Sequence, residues 1–467
     1  MSVRMVPLGN MLVTVCKNQR SAFDFTQDLA LSKSQQGDSK SFFVADLGKI
    51  EAALIHWKNC LPRVRPFYSL NCNNDPALLQ ILAAVPQVGL HCVTRQNVEN
   101  ALDFVSPNRI FYSNPCWTKP ALRQTQKMDI ELLSFDSAED LTRMANSNVT
   151  ARLILNITLN SNSTDSSATL GCDLSDAASL LTTAANYGLN CVGVGFTLGS
   201  DVCRAASYEQ AIEIASQLFV VGSSLGFHMN VLNLGGGFPS PYSSGFALFE
   251  SICLQINSAL NYYFPSEHCD ELQIIATPGR FFAASIFSLV TNIVEKSEVD
   301  ASAITNDDFD AGQRGFVYRI NEGYYGPFGC RSVANCDPKC SPLFESEVTE
   351  TTADLFYGSV MGPDFGDSRF DTVQPQCHFR QMSEGEWLFW EHLGAYSMNN
   401  CEMLDDDDEG CLQPQIFYFA NEMAWKNIDP TAFTDEYTFD VQSDEENDSA
   451  IGSDVDFDPY WLLMDDD

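Results

Sequence analysis

The segment Leu232-Asn-Leu-Gly235-Gly236-Gly237-Phe-Pro offers the clearest local chemistry in this chain of 467 residues. Three glycines directly after a short apolar run let backbone N–H groups approach an anion closely, as in a phosphate cradle. Thr277-Pro-Gly-Arg280, after the next apolar run, adds a fixed cation to such a cradle. The structural alternative is that the glycines only permit an awkward turn. Two other matches fail on context. Gly222-Ser-Ser-Leu-Gly226 fits the G-x-S-x-G nucleophile pattern, but a helix precedes it and a strand follows, the reverse of a nucleophile elbow. Gly193-Val-Gly195 opens like a dinucleotide fingerprint, yet Leu198 stands where the third glycine belongs and the pair lies inside a strand.

Pro115 to Met128 carries Lys119, Arg123 and Lys127 and no acid. A spacing of four puts all three on one helical face, and Pro120 suits a first turn. Such a stripe is either solvated surface or a docking face for an acidic partner. Sixteen cysteines are scattered singly. Cys330, Cys336 and Cys340 are the tightest group, and Cys377 precedes His378, but one loose pair does not make a zinc site, so no metal is expected. The sequons at Asn148, Asn156, Asn162 and Asn447 need a secretory route that the sequence does not display.

The elements that must position these groups alternate. Apolar runs begin at Ser41, Arg65, Leu90, Arg109, Glu131, Arg152, Cys191, Val231 and Gln273, and amphipathic stretches such as Tyr208 to Val221 and Phe246 to Phe264 lie between them. That rhythm predicts βαβ units closed into a barrel, with ligand sites on the loops at the strand C-termini. After Phe281 strands follow one another without helices, which predicts a second, β-rich domain. The fold class is therefore α/β: a (β/α)8 TIM-like barrel plus a C-terminal β-rich domain of Greek-key or β-sandwich type. We place an N-terminal segment at 1–40, the barrel at 41–280, the β-domain at 281–425 and an acidic, disordered tail at 426–467.

Composition restricts the partners. Acids number 62 against 26 Lys and Arg, a formal net charge of -36. Fourteen of the acids lie between Asp429 and Asp467, where no Lys or Arg occurs. Phosphate attraction dominates nucleic-acid affinity, so neither nucleic acid nor an anionic membrane is an expected partner. No run of 18 apolar residues and no signal-peptide pattern is present, so a cytoplasmic location is expected, with the nucleus left open.

Nine segments in this order make the chain resemble eukaryotic ornithine decarboxylase. They are Phe43-Val-Ala-Asp-Leu-Gly, Leu61-Pro-Arg-Val-Arg-Pro-Phe-Tyr, Ser113-Asn-Pro-Cys, Ser134-Phe-Asp-Ser, Leu234-Gly-Gly-Gly-Phe-Pro, Tyr262-Tyr-Phe-Pro, Pro278-Gly-Arg, Tyr325-Gly-Pro-Phe and Leu393-Gly-Ala-Tyr. The resemblance covers roughly 43 to 420 and implies an alanine-racemase-like β/α-barrel that binds pyridoxal phosphate, with a β-domain to which the N-terminal segment contributes. It also exposes departures. The lysine that forms the Schiff base in that family falls at Asn71, and an amide nitrogen cannot form an imine. The histidine stacked on the pyridine ring falls at Thr197, and the glutamate paired with the pyridinium nitrogen at Thr277. The aspartate after the third strand becomes His91, and an arginine becomes Asn156. The catalytic cysteine falls at Phe365, and the substrate-loop aspartate is Glu322. A phosphate cup of Ser200, Gly235, Gly236, Gly237, Arg280 and Tyr396 survives, as a residual anion site or as scaffold alone.

Losing the lysine, glutamate, histidine and cysteine together implies a pseudoenzyme with no catalytic residues and with pyridoxal phosphate binding lost. Non-catalytic relatives of the family are antizyme inhibitors, which bind antizyme and so release ornithine decarboxylase from inhibition and degradation, raising polyamine synthesis and uptake. Their antizyme-binding element corresponds to Asn114 to Leu141, which contains Lys119, Arg123 and Lys127. The alternatives are a regulatory pseudo-subunit paired with an active decarboxylase and a diverged pyridoxal-phosphate-dependent decarboxylase. A monomer is expected, because Phe365 and Gly366 alter the family's interface loop.

Overall fold

The computed structural model describes residues 4–17, 20–159, 170–199, 206–241, 246–268, 271–334, 336–345, 355–364, 372–398 and 413–428. Three strands open the chain: β1 (Arg4–Leu8), β2 (Met11–Cys16) and β3 (Phe42–Asp46). Eight parallel strands then close a barrel: β4 (Val64–Ser69), β5 (Gly89–Cys92), β6 (Ile110–Tyr112), β7 (Leu132–Phe135), β8 (Arg152–Thr158), β9 (Cys191–Thr197), β10 (Val231–Asn233) and β11 (Gln273–Ala276). They pair in chain order, and β11 returns to β4 with Ile274 opposite Val64.

Side chains, not solvent, fill this barrel. Phe67, Phe111, Leu132, Ile154, Val192, Val231 and Ile275, one from nearly every strand, form a separate buried cluster. Two glycines make room for it. A Cβ on Gly89 would lie 2.4 Å from the Phe67 ring, and one on Gly193 would lie 1.9 Å from the Val231 carbonyl oxygen. The helices bury their apolar faces against the outside of the strands. Local chemistry sets their starts: Asp75 accepts the N–H groups of Ala77 and Leu78 ahead of the helix Pro76–Ala84, whose first residue needs no donor.

The remaining strands are β12 (Phe287–Asp300), β13 (Arg314–Ile320), β14 (Cys340–Pro342), β15 (Leu355–Met361), β16 (Thr372–Arg380), β17 (Trp387–Trp390) and β18 (Gln415–Asn421). Among the described residues they join β1, β2 and β3 in one mixed sheet of ten strands. The order is β1-β2-β18-β3-β12-β13-β15-β16, with β17 on β12 and β14 on β17.

Two boundaries differ from the sequence expectation. The sequence pattern places the run at Ser41 in the barrel, but β3 lies in the mixed sheet, parallel to β18 and antiparallel to β12. Phe42, Phe43, Val44 and Ala45 are all buried, so the strand carries the continuous apolar pattern of a two-sided core strand, the same pattern a barrel strand shows. The barrel begins at Val64. At the other end, helix Glu422–Ile428 crosses the expected start of the tail because Trp425 and Ile428 bury against the core. Residues 429–467, most of the segment expected to be a disordered tail, lie outside the described residues.

The Gly193 contact yields a stability prediction. Gly193→Ala drives a methyl group into the β10 backbone and should destabilise the protein by about 3 kcal/mol. The shift of the urea midpoint measures it, and an unchanged midpoint contradicts the close approach of β9 and β10.

Candidate functional site

The C-terminal mouth of the barrel is built where β4, β11 and the second domain meet. The Ser69 N–H donates to the Pro278 carbonyl at 3.0 Å, and the Tyr396 N–H donates to the Cys72 carbonyl at 2.8 Å. A Cβ on Gly279 would lie 2.7 Å from that of Cys72. Tyr396 holds this place in the left-handed region, at φ 60°. Asn71, Arg280 and Tyr396 therefore sit on three segments tied together through Ser69 and Cys72. Asn71 is exposed on the turn after β4. Burial pushes the Cys72 thiol up to about 12, against the pull of the Arg280 guanidinium.

The other departing positions are satisfied by neutral partners. The His91 ring lies between two hydroxyls, with Nδ1 3.1 Å from Ser69 Oγ and Nε2 2.6 Å from Ser113 Oγ. It also packs on Phe111 at 5.2 Å. Burial pushes its pKa down to about 4, so the ring is neutral at physiological pH. One nitrogen carries the proton and the other accepts, which both serines can accommodate by rotating their hydroxyls. Asn156 Nδ2 donates to Thr197 Oγ1 at 3.2 Å. Two positions that stood apart in the sequence are thus one hydrogen-bonded pair on neighbouring strands. Nothing in the sequence marks Ser69 and Ser113: the register puts Ser69 opposite His91 on β4 and Phe111 opposite it on β6, with Ser113 two residues beyond Phe111.

The glycines are accounted for by the turn itself. Gly235 and Gly237 have φ of 69° and 89°, and a Cβ on Gly235 would meet the Phe196 carbonyl oxygen at 2.3 Å. The Gly235 N–H donates to Asn233 Oδ1 at 3.0 Å, so it is not free for an anion. Tyr208 Oη donates to the Gly236 carbonyl at 2.8 Å, and the Thr277 N–H donates to the Gly235 carbonyl at 2.7 Å. Thr277 thus closes the glycine loop onto β11. Half-buried Glu322 accepts from Ser41 Oγ, and burial pushes its carboxyl up to about 7. Ser200 of the expected cup and Phe365 lie outside the described residues.

Covalently held pyridoxal phosphate needs an amine at a strand end and an acid facing its ring nitrogen. No lysine occurs in the segments joining β4, β9, β10 and β11 to the elements that follow. The described groups at the departing barrel positions, Asn71, His91, Asn156, Thr197 and Thr277, are amides, hydroxyls and one neutral imidazole. This donor set does not fit a Schiff-base cofactor.

The basic stripe lies on the adjacent outer surface. Helix Lys119–Lys127 is capped by Thr118, whose Oγ1 accepts the Ala121 N–H at 3.3 Å. Leu122 and Thr125 bury its inner face, and Lys119, Arg123 and Lys127 are exposed on the outer one. Among the described residues, no carboxylate lies within ion-pair distance of the three cations. Buried Trp117 anchors the approach to the helix, its Nε1 donating to the Ser134 carbonyl at 2.8 Å. The Trp117 N–H also donates to the Asp140 carboxylate, which stands beside Asp136. Burial and then the neighbouring Asp140 charge push Asp136 up to about 6. This carboxyl pair gave no sequence signal beyond the Phe135-Asp136-Ser137 motif.

Among the described residues, no cluster of His, Cys, Asp or Glu is arranged to hold a metal ion, and no helix is long and apolar enough to cross a membrane. Residues 47–284 match the family described as "Pyridoxal-dependent decarboxylase, pyridoxal binding domain". The chain is 34% identical to ornithine decarboxylase of Caenorhabditis elegans, over 90% of this chain and 97% of that protein. It is 32% identical to antizyme inhibitor 2 of Xenopus laevis, over 87% of each. Among solved structures, the arginine decarboxylase of Paramecium bursaria Chlorella virus bound to agmatine superposes with a TM-score of 0.73 at 23% identity, covering 85% of this chain and all of that one.

The His91 cluster sets a pH dependence. Its pKa is lower folded than unfolded, so the unfolded chain takes up the proton first as pH falls. The stability His91 contributes is therefore present above its ordinary value near 6.5 and is lost between there and about 4. Against His91→Gln, which keeps a donor and an acceptor, the parent should lose about 2 kcal/mol more stability between pH 7 and pH 5. Urea titrations at the two pH values measure the difference, and parallel losses would remove the burial of the ring from the account.

Proposed function

Because the chain belongs to the pyridoxal-dependent decarboxylase family, we propose that it is a non-catalytic member acting as an antizyme inhibitor, which binds antizyme in place of ornithine decarboxylase. The observation that carries this reading is the amide of Asn71 where the chemistry needs an amine, on a scaffold that is otherwise kept. Without an imine no electron sink forms, and Thr277 offers no charge to support one. The chain releases the decarboxylase by competition and so raises polyamine synthesis and uptake. The likeness to antizyme inhibitor 2 supports this role.

The binding face is the helix Lys119–Lys127 within Asn114 to Leu141. Its three unpaired cations stand out in a field of net charge -36, so an acidic surface is steered to this one place. That steering acts over a screening length of roughly 8 Å at physiological ionic strength. The buried Trp117 and the Asp136–Asp140 pair hold the segment in a fixed shape before the partner arrives. The protein works as a monomer in the cytoplasm. A decarboxylase with altered chemistry is the reading that the likeness to the nematode enzyme favours, and Asn71 stands against it.

Purified protein should capture antizyme and restore the activity of antizyme-inhibited ornithine decarboxylase. It should show no internal-aldimine absorbance and release no carbon dioxide from ornithine. Arg123→Glu with Lys127→Glu should weaken capture at least about tenfold, with a shallower salt dependence. Equal capture by the double variant removes the basic helix from the interface. Failure of the parent to capture antizyme at all, or a coloured and active preparation, overturns the reading itself.

A further inference from the structure

The end of the barrel opposite the mouth is lined differently. Phe67 of β4, Phe111 of β6 and Ile154 of β8 belong to the interior cluster. Side chains alternate along a strand, so Arg65 and Arg152, two residues earlier, stand on the same inner side, one layer toward the strand N-termini. Arg109 precedes Phe111 by the same step. Alternate strands supply one layer of such a barrel, and here three in succession supply an arginine, in a chain of net charge -36. Among the described residues, no carboxylate lies within ion-pair distance of these three.

Arg65 and Arg109 stand on either side of the start of β5, which pairs with both of their strands. Arg65 Nε donates to the Gln87 carbonyl at 3.0 Å, and Arg109 Nε donates to the next carbonyl, that of Val88, also at 3.0 Å. Arg109 Nη2 turns to the carbonyls of Ala83, Val85 and Val88, at 2.8, 2.7 and 2.6 Å. These bonds close the end of the helix Pro76–Ala84 and give Arg109 a structural role. Arg65 has no such role. Its guanidinium lies over the Phe67 ring, 5.7 Å from the centroid, and only Nε donates to the protein. Among the described residues, Nη1 and Nη2 of Arg65 and Nη1 of Arg109 have no protein partner. Both side chains are half-buried, so these groups open on the barrel floor.

Two like charges in a partly dry place are costly. Burial lowers both guanidiniums from their ordinary value, and the Arg65 charge lowers Arg109 further. An anion between them offsets that cost. Donors on two separate planes need oxygens that point in more than one direction, which a tetrahedral oxyanion has and a single carboxylate lacks.

We propose that Arg65 and Arg109 form an anion site at the strand N-terminal end of the barrel that binds a phosphate dianion, with Arg152 adding to its positive field. The site is separate from Arg280 and the glycine turn, which follow the C-termini of β11 and β10. An arginine floor that only closes the barrel accounts for Arg109 and leaves the free edge of Arg65 unused.

Equilibrium dialysis of the full-length protein against radiolabelled inorganic phosphate at low chloride should show one saturable site. Arg65→Gln should weaken it at least about tenfold, because one of the two charges on the dianion is gone. Arg65→Lys keeps the charge and loses the fork, so its affinity should fall between the two. Arg280→Gln, and Arg123→Glu with Lys127→Glu, should bind phosphate as the parent does. Sulfate should compete, and chloride at equal ionic strength should not. The proposal is overturned if the parent shows no saturable binding, or if Arg65→Gln with the parent's circular dichroism spectrum binds equally well. Parental affinity in Arg65→Lys overturns it too. So does loss of binding in Arg280→Gln, which would move the anion to the mouth.

Discussion

The close approach of β4, the Pro278–Arg280 turn and Tyr396 governs everything at the mouth of the barrel. The Pro278 carbonyl accepts from Ser69, the Cys72 carbonyl accepts from Tyr396, and Gly279 is the only residue type that fits against the Cys72 side chain. Two backbone hydrogen bonds and one missing Cβ thereby fix three segments that are far apart in the chain. Arg280 and Asn71 inherit their places from that contact. The arrangement rests on main-chain bonds and a close approach at Gly279, so it does not depend on the side chain at position 71. Conversely, a side chain at position 279 would displace the site without touching any of its functional groups.

Around this frame the altered positions form a self-satisfied set. Charged groups in a partly dry mouth are costly unless each finds a counter-charge. Here neutral groups bond one another: His91 lies between Ser69 and Ser113, and Asn156 donates to Thr197. Burial keeps the imidazole uncharged, consistent with hydroxyl rather than carboxylate neighbours.

Much of the barrel was legible because its signal is local. Each of the eight strands shows a short apolar run, and the glycine triplet and the Pro-Gly-Arg turn mark the ends of β10 and β11. The stripe Lys119, Arg123 and Lys127 was legible for the same reason, since a spacing of four needs only a helix to become a face. What stayed hidden depends on contacts between distant segments. The strand β3 has a two-sided apolar pattern that either sheet would accept, and only its pairing with β12 and β18 decides between them. The serines beside His91 come from neighbouring segments, and the Asn156–Thr197 pair joins positions 41 residues apart. Sequence spacing said nothing about either.

The mixed sheet joins the two ends of the described chain. Strand β18 lies between β2 and β3, with Tyr418 opposite both Val13 and Ala45. On a ribosome the hairpin β1–β2 and strand β3 emerge well before β18 and must wait for about four hundred residues of further synthesis before their common neighbour exists. The barrel between them adds its strands in chain order and closes when β11 reaches β4, whereas the sheet cannot be completed until β18 has been made. During that interval two apolar strand edges stand uncovered. Biogenesis of this protein therefore depends on whatever shields the amino-terminal strands in the nascent chain.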